Sequence, residues 1–292
     1  MTHIHGAAAL VTGAANGIGR ALALELAARG ASVALADRDE AGLKAAAEEV
    51  ARAHPRKVTW HPVDVSRAAD VEGLAKAVVA EHPGLNIVVN NAGVALFGQF
   101  HEVSQADMEW LMGINFWGVV YGCRAFLPHL QRQPAAHIVN TSSIFGIIAP
   151  PGQTSYAAAK FAVRGFSEAL RHELAVSKSP VRLTVVHPGG VATRIARESR
   201  VGAFATDNKR RAEGIERFEA MVQTSPQDAA IRIAEGIEAD APRVLIGKDA
   251  RRMDLLQRFK PATYWATIAK SLERTVAKAM ARKGATTPAR RP

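Results

Sequence analysis

A chain of 292 residues, 48% of them hydrophobic, can bury one sizeable core and fits one α/β domain better than two. Its net charge of +10 is uneven: 12 Lys or Arg and 3 Asp or Glu lie in residues 248–292, a net of +9, which leaves +1 for residues 1–247. Basicity thus belongs to a C-terminal appendage without a zinc-finger, helix-turn-helix or clustered aromatic pattern, so nucleic acid is not an expected partner. Cys123 is the only cysteine, which excludes an internal disulfide, argues against a cysteine metal site and leaves no metal expected.

Residues 1–6 show no secretory leader and no apolar run is long enough for a membrane-spanning helix, so the expected location is cytoplasmic. In chain order, short apolar runs alternate with helical stretches. Strand 7–11 precedes helix 18–29, strand 32–36 precedes helix 40–53, and strand 58–61 precedes helix 69–80. Strand 85–89, a helix around 106–131, strand 137–141, a helix from about 155 to 176 and strand 181–186 follow. A further helix leads to strand 243–246. Seven Val- and Ile-rich strands separated by helices predict one doubly wound, Rossmann-type domain over residues 1–247 with a mostly parallel sheet. Residues 194–221 mix charges with few large apolar side chains and read either as a lid over the carboxyl ends of the strands or as a solvated excursion.

The run Thr12-Gly13-Ala14-Ala15-Asn16-Gly17-Ile18-Gly19 falls between the first strand and its helix. Glycines there permit a sharp turn and close backbone approach to a pyrophosphate, whose charge the free amides at the helix start attract. The spacing is G-x-x-x-G-x-G, and by itself it also fits a purely structural turn. Asp37 ends the second strand, placed to accept hydrogen bonds from ribose hydroxyls and to repel a 2′-phosphate, which favours NAD; the adjacent Arg38 leaves NADP open. Asp64-Val65, ending the third strand, can reach an adenine edge, or Asp64 can cap a helix. Ser143, Tyr156 and Lys160 stand as S-x12-Y-x3-K, with the last two on one helix face. An ammonium near a phenol favours the phenolate and suits it to proton transfer, although a Tyr/Lys pair alone is also an ordinary surface pair.

Together these pieces resemble the short-chain dehydrogenase/reductase family. Thr12-Gly13-x3-Gly17-x-Gly19, Asn90-Asn91-Ala92-Gly93, Asn115, Ser143, Tyr156-x3-Lys160 and Pro188-Gly189-x-Val191-x-Thr193 occur in the family's order and spacing over roughly residues 5–247. The resemblance implies an NAD(P)-dependent enzyme interconverting an alcohol and a carbonyl. In it Tyr156 exchanges the proton, Ser143 orients the substrate oxygen, Lys160 holds the nicotinamide ribose and lowers the Tyr156 pKa, and Asn115 fixes a relay water. It also implies cofactor contacts from Gly13, Asn16, Gly17, Ile18, Gly19, Asp37, Arg38, Asp64, Val65, Asn91, Ala92, Gly93, Tyr156, Lys160, Pro188, Gly189, Val191 and Thr193, with Asn90 reading as a structural amide. Neutral Asn16 stands where relatives that prefer NADP often carry a basic residue. A homodimer or homotetramer is the assembly that such a resemblance implies. The alternative class is a cofactor-binding regulator or scaffold without turnover, against which the intact Asn115, Ser143, Tyr156 and Lys160 set argues.

Val94, Leu96, Phe97, Ile144, Phe145, Ile147 and Ile148 stand beside these motifs, and their apolar character predicts a hydrophobic, secondary alcohol or ketone as the small-molecule substrate. Residues 263–283 form a basic amphipathic pattern. Trp265, Ile268, Leu272, Val276 and Met280 share one face, and Lys270, Arg274, Lys278 and Arg282 share another. Such a helix can contact an anionic membrane surface, pack on a partner subunit or dock on its own domain. Residues 284–292 read as disordered.

Overall fold

The computed structural model describes residues 2–270. Seven parallel strands form one sheet in the order β3-β2-β1-β4-β6-β7-β9. These are β1 (Ala8–Thr12), β2 (Ser32–Asp37), β3 (Val58–Pro62), β4 (Leu85–Asn90), β6 (Ala136–Thr141), β7 (Val181–Pro188) and β9 (Arg243–Ile246). Every pairing in it is parallel, including the one with the last strand. Two short strands absent from the sequence reading, β5 (Leu96–Phe97) and β8 (Arg200–Val201), pair separately.

Continuously apolar strands are the reason for the layering, because alternate side chains enter opposite cores. Ala9 and Val11 of β1 join Leu22, Leu26, Leu43 and Ile233 on one face, from α1 (Gly17–Ala28), α2 (Glu40–Ala53) and α8 (Pro226–Glu238). Leu10 joins Val78, Val119, Phe126 and Val163 on the other, from α3 (Ala68–Glu81), α5 (Gly118–Leu130) and α6 (Thr154–Val176). Sheet order reverses between β1 and β4, which opens a crevice at their carboxyl ends. Helix α1 stops where Gly30 takes φ +97°, a conformation that favours glycine.

The stretch expected as one helix over 106–131 is two. After α4 (Gln105–Met112) the chain widens into a π-helical turn at Gly113–Trp117 and resumes as α5. Residues 194–221 contain β8 and α7 (Asn208–Met221), and they are tied to the segment after β4. Arg200 stacks over the Trp110 ring at 3.6 Å and lies 3.7 Å from the Asp107 carboxylate; Arg210 pairs with Glu102; the Ala203 amide donates to Asp107 Oδ2 at 2.9 Å.

Helix α9 (Lys248–Phe259) and the helical residues 264–270 pack onto the segment following Ser143. Ile144, Ile147, Ile148, Ala250 and Ile268 form a buried cluster flanked by Phe145, Tyr264 and Trp265, and the Ala149 amide donates to the Tyr264 hydroxyl at 2.9 Å. Trp265 and Ile268 thus dock on their own domain. Leu272, Arg274, Val276, Lys278, Met280, Arg282 and the 284–292 tail lie outside the described residues. None of the described helices is long and apolar enough to cross a membrane.

Candidate active site

At the carboxyl end of β1 the chain turns through Gly13, at φ +68°, and Gly17, at φ +56°. A Cβ on Gly13 would lie 2.8 Å from Ala92 Cα, and one on Gly19 would lie 2.1 Å from the Gly13 carbonyl oxygen, so the turn closes only with glycine at these points. Helix α1 begins at Asn16 with no side-chain cap and no acidic residue in its first turn, whereas Asp39, Ser104, Asp207 and Ser225 cap α2, α4, α7 and α8. Its first amides, Ile18 among them, are left to a solvent or ligand acceptor, which fits the phosphates of a dinucleotide.

Asp37 reaches this turn from β2. Its Oδ2 accepts the Ala15 amide and its Oδ1 the Asp39 amide, each at 3.0 Å, and each oxygen keeps a second lone pair for a hydroxyl donor; Arg38 beside it is exposed. Asp64 shapes the entry to α3, accepting the Ser66 amide at 2.9 Å and the Ser66 hydroxyl at 2.7 Å through one oxygen. It does not cap α3, whose first-turn amides receive no side-chain cap; the bonds close a local turn ahead of the helix. Val65 and Ala92 pack closely with Thr12, Asn90, Ile114, Gly118 and Val119, with no space for a water between them.

Asn91 turns its side-chain amide inward, donating to the Thr12 carbonyl at 3.0 Å, so it braces the glycine turn. Asn90 donates to Asn140 Oδ1 at 2.8 Å and locks β4 to β6 beside buried Cys123, whose thiol burial pushes up to about 12. These amides hold adjoining strands in register at the crevice.

Four side chains expected to carry chemistry converge at the next layer. Ser143, on the turn after β6, accepts the Phe145 amide at 3.1 Å and stands close enough to the Tyr156 hydroxyl to pull its pKa down. Lys160, one turn along α6 from Tyr156, has its Nζ 5.8 Å from the Tyr156 ring centre and donates to the Thr141 carbonyl at 3.0 Å. Gly93 lies between Lys160 and Asn115: a Cβ there would be 3.6 Å from Lys160 Nζ and 3.3 Å from Asn115 Oδ1. Asn115 occupies the π-helical turn, fully buried, accepting the Val94 amide at 2.8 Å and donating to the Val94 carbonyl at 2.9 Å. That wide turn sets Asn115 against the strand-end segment, as such turns often do at sites.

Burial governs the protonation here. It lowers the Lys160 pKa from 10.5 to about 8 and raises the Tyr156 phenol above its ordinary value, against which the Ser143 hydrogen bond works. The expectation that a nearby Lys160 ammonium brings the Tyr156 pKa down is not met: burial of the phenol raises it, and the ammonium is directed to the Thr141 carbonyl.

Apolar side chains surround Tyr156 on two sides. Leu96, Leu111, Val103, Trp110 and Met112 cluster with its ring, and Phe145 meets it edge-on at 6.1 Å. Ile144, Ile147 and Ile148 belong to the C-terminal cluster behind Phe145, and Phe97 lies 5.5 Å from the Arg210 guanidinium. The loop after Pro188 and Gly189 bridges back through Val191, paired with Thr224, to Thr193, whose Cγ2 would be 3.1 Å from a Cβ on Gly17.

An open cleft outside the glycine turn is lined by Asn16, Gly17, Arg20, Thr193, Arg194 and Arg197. The sequence reading did not single out these three arginines; Arg20 directly follows Gly19 of the glycine run and Arg194 directly follows Thr193, whereas Arg197 adjoins no motif. Among the described residues no group of three or more His, Cys, Asp or Glu is placed to hold a metal.

Comparison with known proteins matches residues 7–202 to the short chain dehydrogenase family model. SadH of Mycobacterium tuberculosis, named as an oxidoreductase, is 43% identical over 269 residues, which span 92% of this chain and 96% of that protein. A short-chain dehydrogenase/reductase from Burkholderia phymatum, solved in complex with NAD, superposes with a TM-score of 0.82 at 30% identity, covering 89% of this chain and 95% of that one. An alcohol dehydrogenase from Thermococcus sibiricus, solved with 5-hydroxy-NADP, gives a TM-score of 0.70 at 25% identity over 83% of this chain and 96% of that one.

Proposed function

The chain belongs to the short-chain dehydrogenase/reductase family of oxidoreductases, and from that premise we propose that it interconverts a hydrophobic secondary alcohol and its ketone with Tyr156 as general acid/base. The observation that carries this reading is the convergence of the Tyr156 hydroxyl, Ser143 and Lys160 in one buried site, with Asn115 across Gly93. Ser143 orients the substrate oxygen by a hydrogen bond. Tyr156 takes the alcohol proton in oxidation and returns it in reduction, with Lys160 as the neighbouring cation whose pKa of about 8 lets it share the proton near working pH. Asn115, fixed by Val94, holds the wall next to the Lys160 ammonium.

A bound nicotinamide supplies the hydride exchange that these side chains cannot perform. Gly13, Gly17, Gly19 and the uncapped start of α1 would hold its phosphates, Asp37 its adenosine ribose, and the Val191 and Thr193 loop its nicotinamide half. Asp37 with neutral Asn16 favours NAD over NADP. The apolar side chains around Tyr156 favour a hydrophobic substrate over a hydroxy acid, since the nearby Arg200 and Arg210 are already engaged with Asp107 and Glu102.

Absorbance of the reduced nicotinamide, followed while secondary alcohols and short hydroxy acids are screened with NAD and NADP, tests the reading. Turnover is expected with NAD and apolar alcohols, and Tyr156→Phe should lower kcat by about 10²-fold or more while NADH affinity falls far less. A Tyr156→Phe enzyme with wild-type turnover would overturn the assignment. We also propose a homo-oligomer: Trp117, stacked on Tyr121 at 5.9 Å, and Phe161 leave exposed aromatic surface on neighbouring helices for a second copy to cover. Light scattering should give twice or four times the chain mass of 31.2 kDa, and a monomer at micromolar concentration would refute it.

A further inference from the structure

We infer that Asp249, in the first turn of α9, is the positioning residue that seats the 189–193 loop on the cofactor cleft, so that the C-terminal segment sets dinucleotide affinity. This rests on the enzyme reading above. The loop leaves β7 with three attachments. The Gly189 amide donates to the Ile246 carbonyl at 2.9 Å, the Gly190 amide to Asp249 Oδ2 at 2.7 Å, and the Ala192 amide to the Thr224 carbonyl at 3.0 Å. Two of these attachments are backbone to backbone, and Asp249 supplies the side chain between them.

Its carboxylate fills space that two glycines leave. A Cβ on Gly189 would lie 2.2 Å from Asp249 Oδ2, and one on Gly247, at φ +94°, would lie 2.3 Å from Oδ1. Held between these backbones, the carboxylate has little freedom, and its hydrogen bond to the amide is charge-assisted. Beyond the bond the loop runs to Thr193, which rests against Gly17 of the phosphate turn. Any drift of Gly190 therefore changes the opening between the Val191 and Thr193 side of the cleft and the glycine turn.

A carboxylate in the first turn of a helix also favours that helix through its dipole. That role needs the charge alone, whereas the positioning role needs an acceptor of this length at this place. Asp249→Asn keeps the acceptor and loses the charge. Asp249→Glu keeps the charge and cannot fit its longer stem between the two glycines without moving the loop.

The test is NADH titration of the full chain by calorimetry, with hydrogen exchange at the Gly190 amide, for wild type and for Asp249→Ala, Asp249→Asn, Asp249→Glu and Asp254→Ala. Asp254 is the control, since it anchors α9 to Arg243 and Arg258 without touching the loop. Loss of one charge-assisted bond should weaken NADH binding about tenfold in Asp249→Ala and Asp249→Glu. KM for NAD should rise in step, kcat should hold, and Gly190 protection should fall. Asp249→Asn should retain most of the affinity, and Asp254→Ala should lower Tm while binding NADH normally.

Wild-type affinity in both Asp249→Ala and Asp249→Glu would overturn the inference alone, as would equal weakening in Asp254→Ala at matched Tm. A wild-type chain that binds neither NADH nor NADPH would overturn the enzyme reading and the inference with it.

Discussion

Lys160 is buried with its ammonium on the Thr141 carbonyl, and the lowering of its pKa from 10.5 to about 8 ties the stability of the fold to pH. Below the folded value the lysine is charged in both states, and its burial costs the native state in full. Between about 8 and 10.5 the unfolded chain binds the proton and the folded one releases it, so this cost disappears as pH rises. Relative to Lys160→Met, which has no proton to lose, wild type should gain about 3 kcal/mol of unfolding free energy across that window, and the difference should be flat below it. Urea denaturation of both proteins at stepped pH checks this; parallel curves would show that the site is wetter than its burial implies. The convergence of Ser143, Tyr156, Lys160 and Asn115 was legible in the sequence because their spacings recur as a set. The upward shift of the Tyr156 phenol was not, since a spacing says nothing about water.

At the scale of elements, the glycine turn was legible because conformation itself demands its residues, and the demand can be tested at Gly19, where packing rather than backbone conformation excludes a side chain. With a Cβ 2.1 Å from the Gly13 carbonyl, Gly19→Ala must push α1 off the turn. A stability loss of about 1–3 kcal/mol is expected, the range for overpacking, with NADH affinity falling by more than an exposed Gly→Ala such as Gly73→Ala produces. Calorimetry and thermal melts decide it, and equal behaviour of the two variants would refute the packing argument. The break between α4 and α5 was illegible because Ile114, Phe116 and Trp117 keep the run largely apolar and no proline or charge marks it. Its cause lies elsewhere in the chain, in the backbone of Val94 that Asn115 must meet. Helix α7 was likewise missed. Its sequence offers no apolar stripe, and its Asp207 cap is one aspartate among many charges.

For the whole molecule, seven strands and their parallel direction followed from the alternation of apolar runs with helices, and only their lateral order required the structure. The charge distribution suggested an appendage from residue 248 onward, yet α9 and residues 264–270 bury Ala250 and Ile268 against Ile144, Ile147 and Ile148. Charge counts could not show this, because the basic side chains face solvent while a few apolar ones make the contact. A chain ending at Gly247 would uncover those three isoleucines, each worth about 1.5–3 kcal/mol when fully buried, so a loss on the order of 5 kcal/mol is expected. Thermal unfolding and binding of an apolar dye would register it, and an unchanged Tm would show that the cluster adds nothing.

Synthesis runs from the N-terminus, so the phosphate turn, Tyr156 and Lys160 all leave the ribosome long before Asp249 and Ile268 do. Until Asp249 and Ile268 have emerged, the loop bearing Thr193 lacks the carboxylate that meets Gly190 and the segment after Ser143 lacks its cover, so fragments that stop earlier would carry the side chains of the site without these two supports.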